Sequence, residues 1–239
     1  MTLTDKIAVV TGAGRGIGKA IALALAERGA DVVVAARTQS EIDAVAGEVR
    51  KLGRKALAVK ADVSEKADVQ RLFARAADEF GTVHILVNNA GIGLFAQVAD
   101  LKVEDFDRMW QVNMRGVFLC TQNALPLMVK QKNGDIVNIA SLAGRNAFVG
   151  GAGYGATKWA LIGFSRSLML EVRKHNIRVI TLCPGSVDTS FGDHTTGAPK
   201  SSGEIPGAQD IARVAVDTLS MPRHVMVSEV DIRPTNPTG

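Results

Sequence analysis

The chain has 239 residues, 28 Lys+Arg against 24 Asp+Glu for a formal net charge of +4, and 46% hydrophobic residues. That apolar fraction fills the core of one α/β domain, here taken as residues 1–239, and sets aside a disordered chain or a disulfide-stapled scaffold. Aromatics are only 5% and no basic run interleaves with them, so nucleic acid is not an expected partner; no apolar run is long enough to span a bilayer.

Apolar runs and amphipathic stretches alternate along the chain. Ile7–Thr11, Val32–Ala36, Ala56–Val59, Ile85–Val87, Ile136–Ile139 and Val179–Leu182 read as buried strands. Helical periods fall at Ile17–Arg28, Ser40–Lys51, Glu65–Phe80, Val103–Lys130 and Tyr154–His175. Thr38 with Glu41 predicts a capping box for the second helix, and Ser64 an N-cap for the third. Gly29, Gly53 and Gly81 read as helix-closing glycines. The stretch Ser190–Gly207 is rich in Gly, Ser, Thr and Pro and reads as a substrate-side loop over about 190–208. A short helix at Gln209–Leu219 and a last strand at Val225–Ile232 follow. Cys120 and Cys183 sit beside apolar residues as free thiols, and Met1–Lys6 lacks an apolar leader, so a cytoplasmic location is expected.

Repeated strand–helix–strand units require right-handed crossovers. They predict a doubly wound α/β domain, with a mostly parallel seven-stranded sheet flanked by helices on both faces. Ligands then bind beyond the carboxyl ends of the strands.

The turn after the first strand reads Thr11-Gly12-Ala13-Gly14-Arg15-Gly16-Ile17-Gly18. It fits T-G-x-x-x-G-x-G, whose glycines let backbone approach a pyrophosphate at a helix N-terminus. Chains that hold the 2′-hydroxyl of NAD place an acid at the end of the second strand. Here that position reads Ala35-Ala36-Arg37, with a guanidinium suited to a 2′-phosphate and Arg15 as a second cation. NADP(H) is therefore favoured over NAD(H). The bland alternative for Arg37 is a solvated helix-flanking charge.

Tyr154 and Lys158 stand at i and i+4, on one face of a helix. A neighbouring ammonium is expected to lower the phenol's pKa from near 10 toward neutrality. Ser141 follows a strand and precedes this pair. The four histidines show no ligand spacing, so no metal is expected. His194 falls in the loop after residue 190, where a surface role is the default.

The glycine segment 12–18, Asp62, Asn88-Asn89-Ala90-Gly91, Asn113, Ser141, Tyr154, Lys158 and Pro184-Gly185 occur in an order that resembles the short-chain dehydrogenase/reductase family in its one-domain form. The resemblance runs from Lys6 to about Thr189. It implies Tyr154 as general acid or base, Ser141 as donor to the substrate oxygen, and Lys158 on the nicotinamide ribose. Asn113 would position a proton-relaying water. Gly12, Arg15, Gly16, Ile17, Gly18, Arg37, Asp62, Val63, Asn89 and Gly91 would contact the cofactor, together with Pro184, Gly185, Val187 and Thr189. The expected activity is hydride transfer between NADP(H) and a carbonyl or alcohol, as in 3-oxoacyl or broad carbonyl reductases. An acyl thioester is one expected substrate class, and a homodimer or homotetramer the expected assembly. The ending Val227–Pro234 is unlike the glycine-rich ending of the carrier-protein reductases and is closer to reductases of free carbonyls. Two alternatives stay open: an NAD-linked alcohol or sugar dehydrogenase, and a catalytically silent nucleotide-sensing protein.

Overall fold

The computed structural model describes residues 2–189, 191 and 204–235. Its elements in chain order are β1 (Ile7–Thr11), α1 (Gly16–Glu27), β2 (Asp31–Ala36), α2 (Gln39–Lys51), β3 (Ala56–Lys60), α3 (Lys66–Phe80) and β4 (Ile85–Asn88). There follow α4 (Val103–Trp110), a π turn (Gln111–Arg115), α5 (Gly116–Lys130), β5 (Gly134–Ile139) and α6 (Ala152–Val172). The described chain ends with β6 (Ile177–Pro184), α7 (Ala208–Leu219) and β7 (Glu229–Ile232).

The seven strands form one sheet in the order β3-β2-β1-β4-β5-β6-β7. Every pairing is parallel, so the sheet is wholly rather than mostly parallel. Both faces are covered, which is why the strands read as unbroken apolar runs. Within β1, Ala8 and Val10 face Ile21, Leu25 and Ile211 of α1 and α7, whereas Val9 faces Leu72 and Met128 of α3 and α5. The period-2 alternation of a strand thus feeds two cores from one run. Strand order reverses between β1 and β4, and this switch point opens a crevice at their carboxyl ends.

Several local expectations are corrected. Thr38 is the N-cap of α2 but makes no side-chain cap bond; Glu41 instead lies 3.8 Å from Arg15 across the glycine loop. Ser64 is not a cap, since α3 starts after Glu65 and the Ser64 hydroxyl donates to Asp62. The helix expected at Val103–Lys130 is broken by the π turn, whose wider i→i+5 closure turns Asn113 inward. The helix expected at Tyr154–His175 begins two residues earlier, at Ala152, and its last turn, Arg173–His175, tightens to 3₁₀. The last strand starts only at Glu229. His194 and most of the 190–208 loop lie outside the described residues, but the backbone N–H of Asp188 donates to Pro206 O at 2.9 Å and closes the loop's base.

Candidate active site

A cleft of about 810 Å³ follows the switch point, running from the glycine loop to Ser141, Tyr154 and Lys158. Its floor is set by close backbone approach. Asn89 donates through Nδ2 to the carbonyls of Thr11 (2.9 Å) and Gly12 (3.1 Å), while the Thr11 hydroxyl accepts from Asn89 N. This lock draws α1 so near that a Cβ on Gly18 would stand 2.3 Å from Gly12 O and 2.4 Å from Asn89 Nδ2. Gly18 therefore lies beneath the loop and does not line the cleft, unlike Gly12, Arg15, Gly16 and Ile17. Gly16 takes a φ of +55° and faces Thr189, whose Cβ would be 3.7 Å from an added Cβ.

At the next strand ends stand Arg37, Asp62 and Val63. Arg37 makes no hydrogen bond or ion pair with another described residue. Asp62 is committed to the protein: it accepts from Ser64 N and Oγ and pairs with Arg108 Nη2 at 2.8 Å. Burial alone would raise the Asp62 carboxyl, but Ser64 and the Arg108 guanidinium hold it below its ordinary value. Arg108 itself lines the cleft. The sequence reading missed it because a basic residue on an amphipathic helix resembles any solvated charge.

At the far end, Ser141 follows β5 and Tyr154 and Lys158 lie on α6. The Ser141 hydroxyl stands close enough to the Tyr154 phenol to favour its ionised form, and accepts from Ala143 N at 3.1 Å. Lys158 is 5% exposed and donates to Ile139 O at 2.9 Å. Its Nζ stands 5.6 Å from the centre of the Tyr154 ring. Gly91 leaves room between the two buried polar groups: a Cβ there would be 3.4 Å from Asn113 Oδ1 and 3.7 Å from Lys158 Nζ.

The acidified phenol expected from the Tyr–Lys spacing is corrected by the burial of the ring. Burial pushes Tyr154 up to about 12, with the Ser141 hydroxyl pulling the other way. Burial likewise draws Lys158 down to about 8. The ammonium is turned to the Ile139 carbonyl and lies against the ring, so it does little for the phenol oxygen.

Asn113 does not line the cleft. Its Oδ1 accepts from Ile92 N and its Nδ2 donates to Ile92 O, both at 2.9 Å. A further bond to Thr157 Oγ1 at 3.0 Å engages the second Nδ2 hydrogen, so both donors of the amide are held while Oδ1 keeps one acceptor site. Pro184, the last residue of β6, and Gly185, Val187 and Thr189 beyond it line the same cleft as Ser141 and Tyr154. Phe95 and Phe148 line it too. Neither was singled out from sequence, because a lone phenylalanine in a loop reads as packing. Among the described residues, no group of three or more His, Cys, Asp or Glu could hold a metal, and no helix is long and apolar enough to cross a membrane.

The family description of short chain dehydrogenases matches residues 6–198. An uncharacterized oxidoreductase of Staphylococcus aureus (strain N315) is 39% identical over 232 residues, 97% of this chain and 98% of that protein. The alcohol dehydrogenase from the archaeon Thermococcus sibiricus, solved with 5-hydroxy-NADP, has a TM-score of 0.89 at 32% identity, covering 96% of this chain and 97% of that one. The 3-ketoacyl-(acyl-carrier-protein) reductase of Brucella melitensis, solved with NADH, has a TM-score of 0.88 at 33% identity, covering 97% and 98%.

Proposed function

The chain belongs to the short-chain dehydrogenase family of oxidoreductases, and from that premise we propose that it moves hydride between NADP(H) and a small carbonyl–alcohol pair, with Tyr154 as proton donor and acceptor. The observation that carries this reading is one continuous cleft joining the glycine loop to the Ser141–Tyr154–Lys158 cluster.

The residues fit a dinucleotide. Gly12, Gly14 and Gly16 leave the loop bare beside the N-terminus of α1, where free N–H groups favour a pyrophosphate. Arg37, at the end of β2 with no acid beside it, suits a 2′-phosphate. Asp62 and Val63 would border the adenine, and Asn89, Gly91, Pro184, Gly185, Val187 and Thr189 the nicotinamide half. When bound, the cofactor supplies or accepts the hydride.

The protein's own groups handle the proton. In reduction, negative charge grows on the substrate oxygen, where the hydroxyls of Ser141 and Tyr154 are preplaced donors. Tyr154 gives its proton to that oxygen, which suits a phenol kept protonated by burial. Lys158 stands within the same buried cluster to restore the charge balance, and Asn113 holds the Ile92 loop and α6 in register. In oxidation the proton moves the opposite way, and the tyrosinate must be stabilised by charge that the free protein does not bring to its oxygen.

A second reading, an NAD-linked alcohol dehydrogenase, draws on the NADH of the Brucella neighbour. Exposed apolar residues on α5 and α6, among them Phe118, Trp159 and Leu170, support a homodimer or homotetramer paired through these helices. The test is a panel of ketones, aldehydes, acyl thioesters and alcohols assayed with both cofactors. Expected is carbonyl-dependent NADPH oxidation that reverses with the product alcohol and NADP⁺; no turnover with either cofactor would overturn the reading.

A further inference from the structure

Aromatic residues are scarce in this chain, yet three of its eight phenylalanines gather at Tyr154. The Phe95 ring meets Tyr154 edge-on, with centroids 5.2 Å apart. Phe148 packs on Phe95 at 5.7 Å, and Phe191 lies 6.3 Å from the Tyr154 ring. All three phenylalanines line the cleft. Phe148 remains 37% and Phe191 40% exposed, so ring surface is left open beside the proton donor. Such surface inside a concave site is apolar contact area for a ligand.

The backbone makes room for these rings. A Cβ on Gly151 would stand 2.3 Å from the Phe148 ring, and one on Gly93 would stand 2.9 Å from Phe95 and 3.2 Å from Phe191. Charge, by contrast, is gathered elsewhere in the cleft. Arg15, Arg37, Glu41, Asp62 and Arg108 belong to the glycine-loop and β2–β3 side. Of the other charged lining residues among the described ones, Lys158 belongs to the Tyr154 cluster that handles the proton, and Arg233 is 3.1 Å from Asp231. A carboxylate placed against these rings would shed water over apolar surface, away from Arg15, Arg37 and Arg108.

We infer that this end of the cleft selects an uncharged ketone or secondary alcohol bearing an aryl or alicyclic group beside the reacting carbon, with Phe95 and Phe148 as its specificity-determining residues. The inference rests on the hydride-transfer reading above and narrows it. In the reductive direction the ketone carbon gains hydride from NADPH, its oxygen gains the Tyr154 proton, and the products are the secondary alcohol and NADP⁺. The ring of the substrate takes up the open face of Phe148, which Phe95 orients toward Tyr154, and this excludes water from the carbonyl as the proton moves.

The experiment measures kcat/KM on the full chain with NADPH for 1-phenylethanone, 3-oxobutanoate and the coenzyme A thioester of 3-oxobutanoate. Expected is a preference for the aryl ketone of about 10-fold or more, the scale on which apolar pockets discriminate. Phe95→Ala and, separately, the partly exposed Phe148→Ala should erase most of that preference through KM, with Phe95→Leu retaining part of it and NADPH affinity unchanged by fluorescence. Reduction of 3-oxobutanoate or its thioester as efficient as that of the aryl ketone, or a preference that survives both alanine variants, would overturn the inference while leaving hydride transfer standing. Reduction of none of the three, nor of any carbonyl in the wider panel, would remove both readings.

Discussion

Asn113 Nδ2 donates to Thr157 Oγ1 across 3.0 Å, and Thr157 in turn donates to the Tyr154 carbonyl at 2.7 Å. The π turn is thereby clamped to the one turn of α6 that carries both Tyr154 and Lys158. The same amide pairs in both directions with the main chain of Ile92, beyond β4. One side chain thus fixes three segments around Tyr154 and Lys158.

Asn113→Ala leaves the Ile92 N–H and carbonyl and the Thr157 hydroxyl short of partners. Its expected cost is about 2–3 kcal/mol in denaturant unfolding. Turnover should fall about 10-fold or more as α6 loosens, because misplacement of catalytic groups is expensive. Wild-type stability together with wild-type turnover would show that the clamp does not position the site.

The two glycine-loop substitutions Gly18→Ala and Gly14→Ala should behave differently. At Gly18 the new methyl meets the Gly12 carbonyl at 2.3 Å, which only a backbone shift relieves. At Gly14 it meets the Glu41 carboxylate at 2.6 Å, which can swing away, and Glu41 Cβ at 3.0 Å, which must give by a few tenths of an ångström. Gly18→Ala is expected to cost about 1–3 kcal/mol and to weaken dinucleotide binding, with Gly14→Ala costing less than Gly18→Ala. Thermal unfolding and cofactor fluorescence titration measure both.

Arg37→Asp replaces the cation at the end of β2 with the acid that holds a ribose 2′-hydroxyl. The ratio of kcat/KM for NADPH over NADH should drop by about 10-fold or more, since a charge-assisted phosphate contact becomes a repulsion. A parent protein that already prefers NADH would remove Arg37 from the cofactor site.

Two buried groups shape stability at alkaline pH with opposite signs. Lys158 titrates at about 8 in the fold against an ordinary 10.5, so the unfolded chain holds more protons between those values and stability rises with pH there. Tyr154 keeps its proton up to about 12 against an ordinary 10.0, so stability falls as pH passes from 10.0 toward 12. A maximum near pH 10 is expected from this pair, and Lys158→Met should flatten its lower limb. Tyr154 is the chain's one tyrosine, so tyrosinate absorbance reads it directly. A midpoint near 10 in the free protein would contradict its burial.

Much of this architecture was legible in the residues. Val and Ile runs bounded by Gly or Asn located six of the strands because a doubly covered parallel strand tolerates little else. The glycines, Ser141, Tyr154 and Lys158 were legible because each has a backbone or proton-transfer reason to be that residue type at a strand end or on one helix face. The π turn was not, since Val103–Lys130 keeps a continuous helical period while its hydrogen bonds shift register. The capping box at Thr38 failed because Glu41 has a cation, Arg15, brought near by tertiary folding. The phenol's raised pKa was hidden for a related reason. Spacing places Lys158 on the same helix face as Tyr154, but the Ile139 carbonyl that captures its ammonium comes from β5. Arg108, Phe95 and Phe148 acquire meaning only when distant segments meet.

The central claim is that Tyr154 delivers the proton. Single-turnover reduction of a ketone by Tyr154→Phe with NADPH bound tests it most directly, since the substitution removes one hydroxyl and keeps the ring among Phe95 and Phe191. The account predicts a loss of about 10²-fold or more in the reduction rate, the scale of general acid catalysis, with NADPH affinity retained. A rate that stays within about two-fold of the parent's would contradict it.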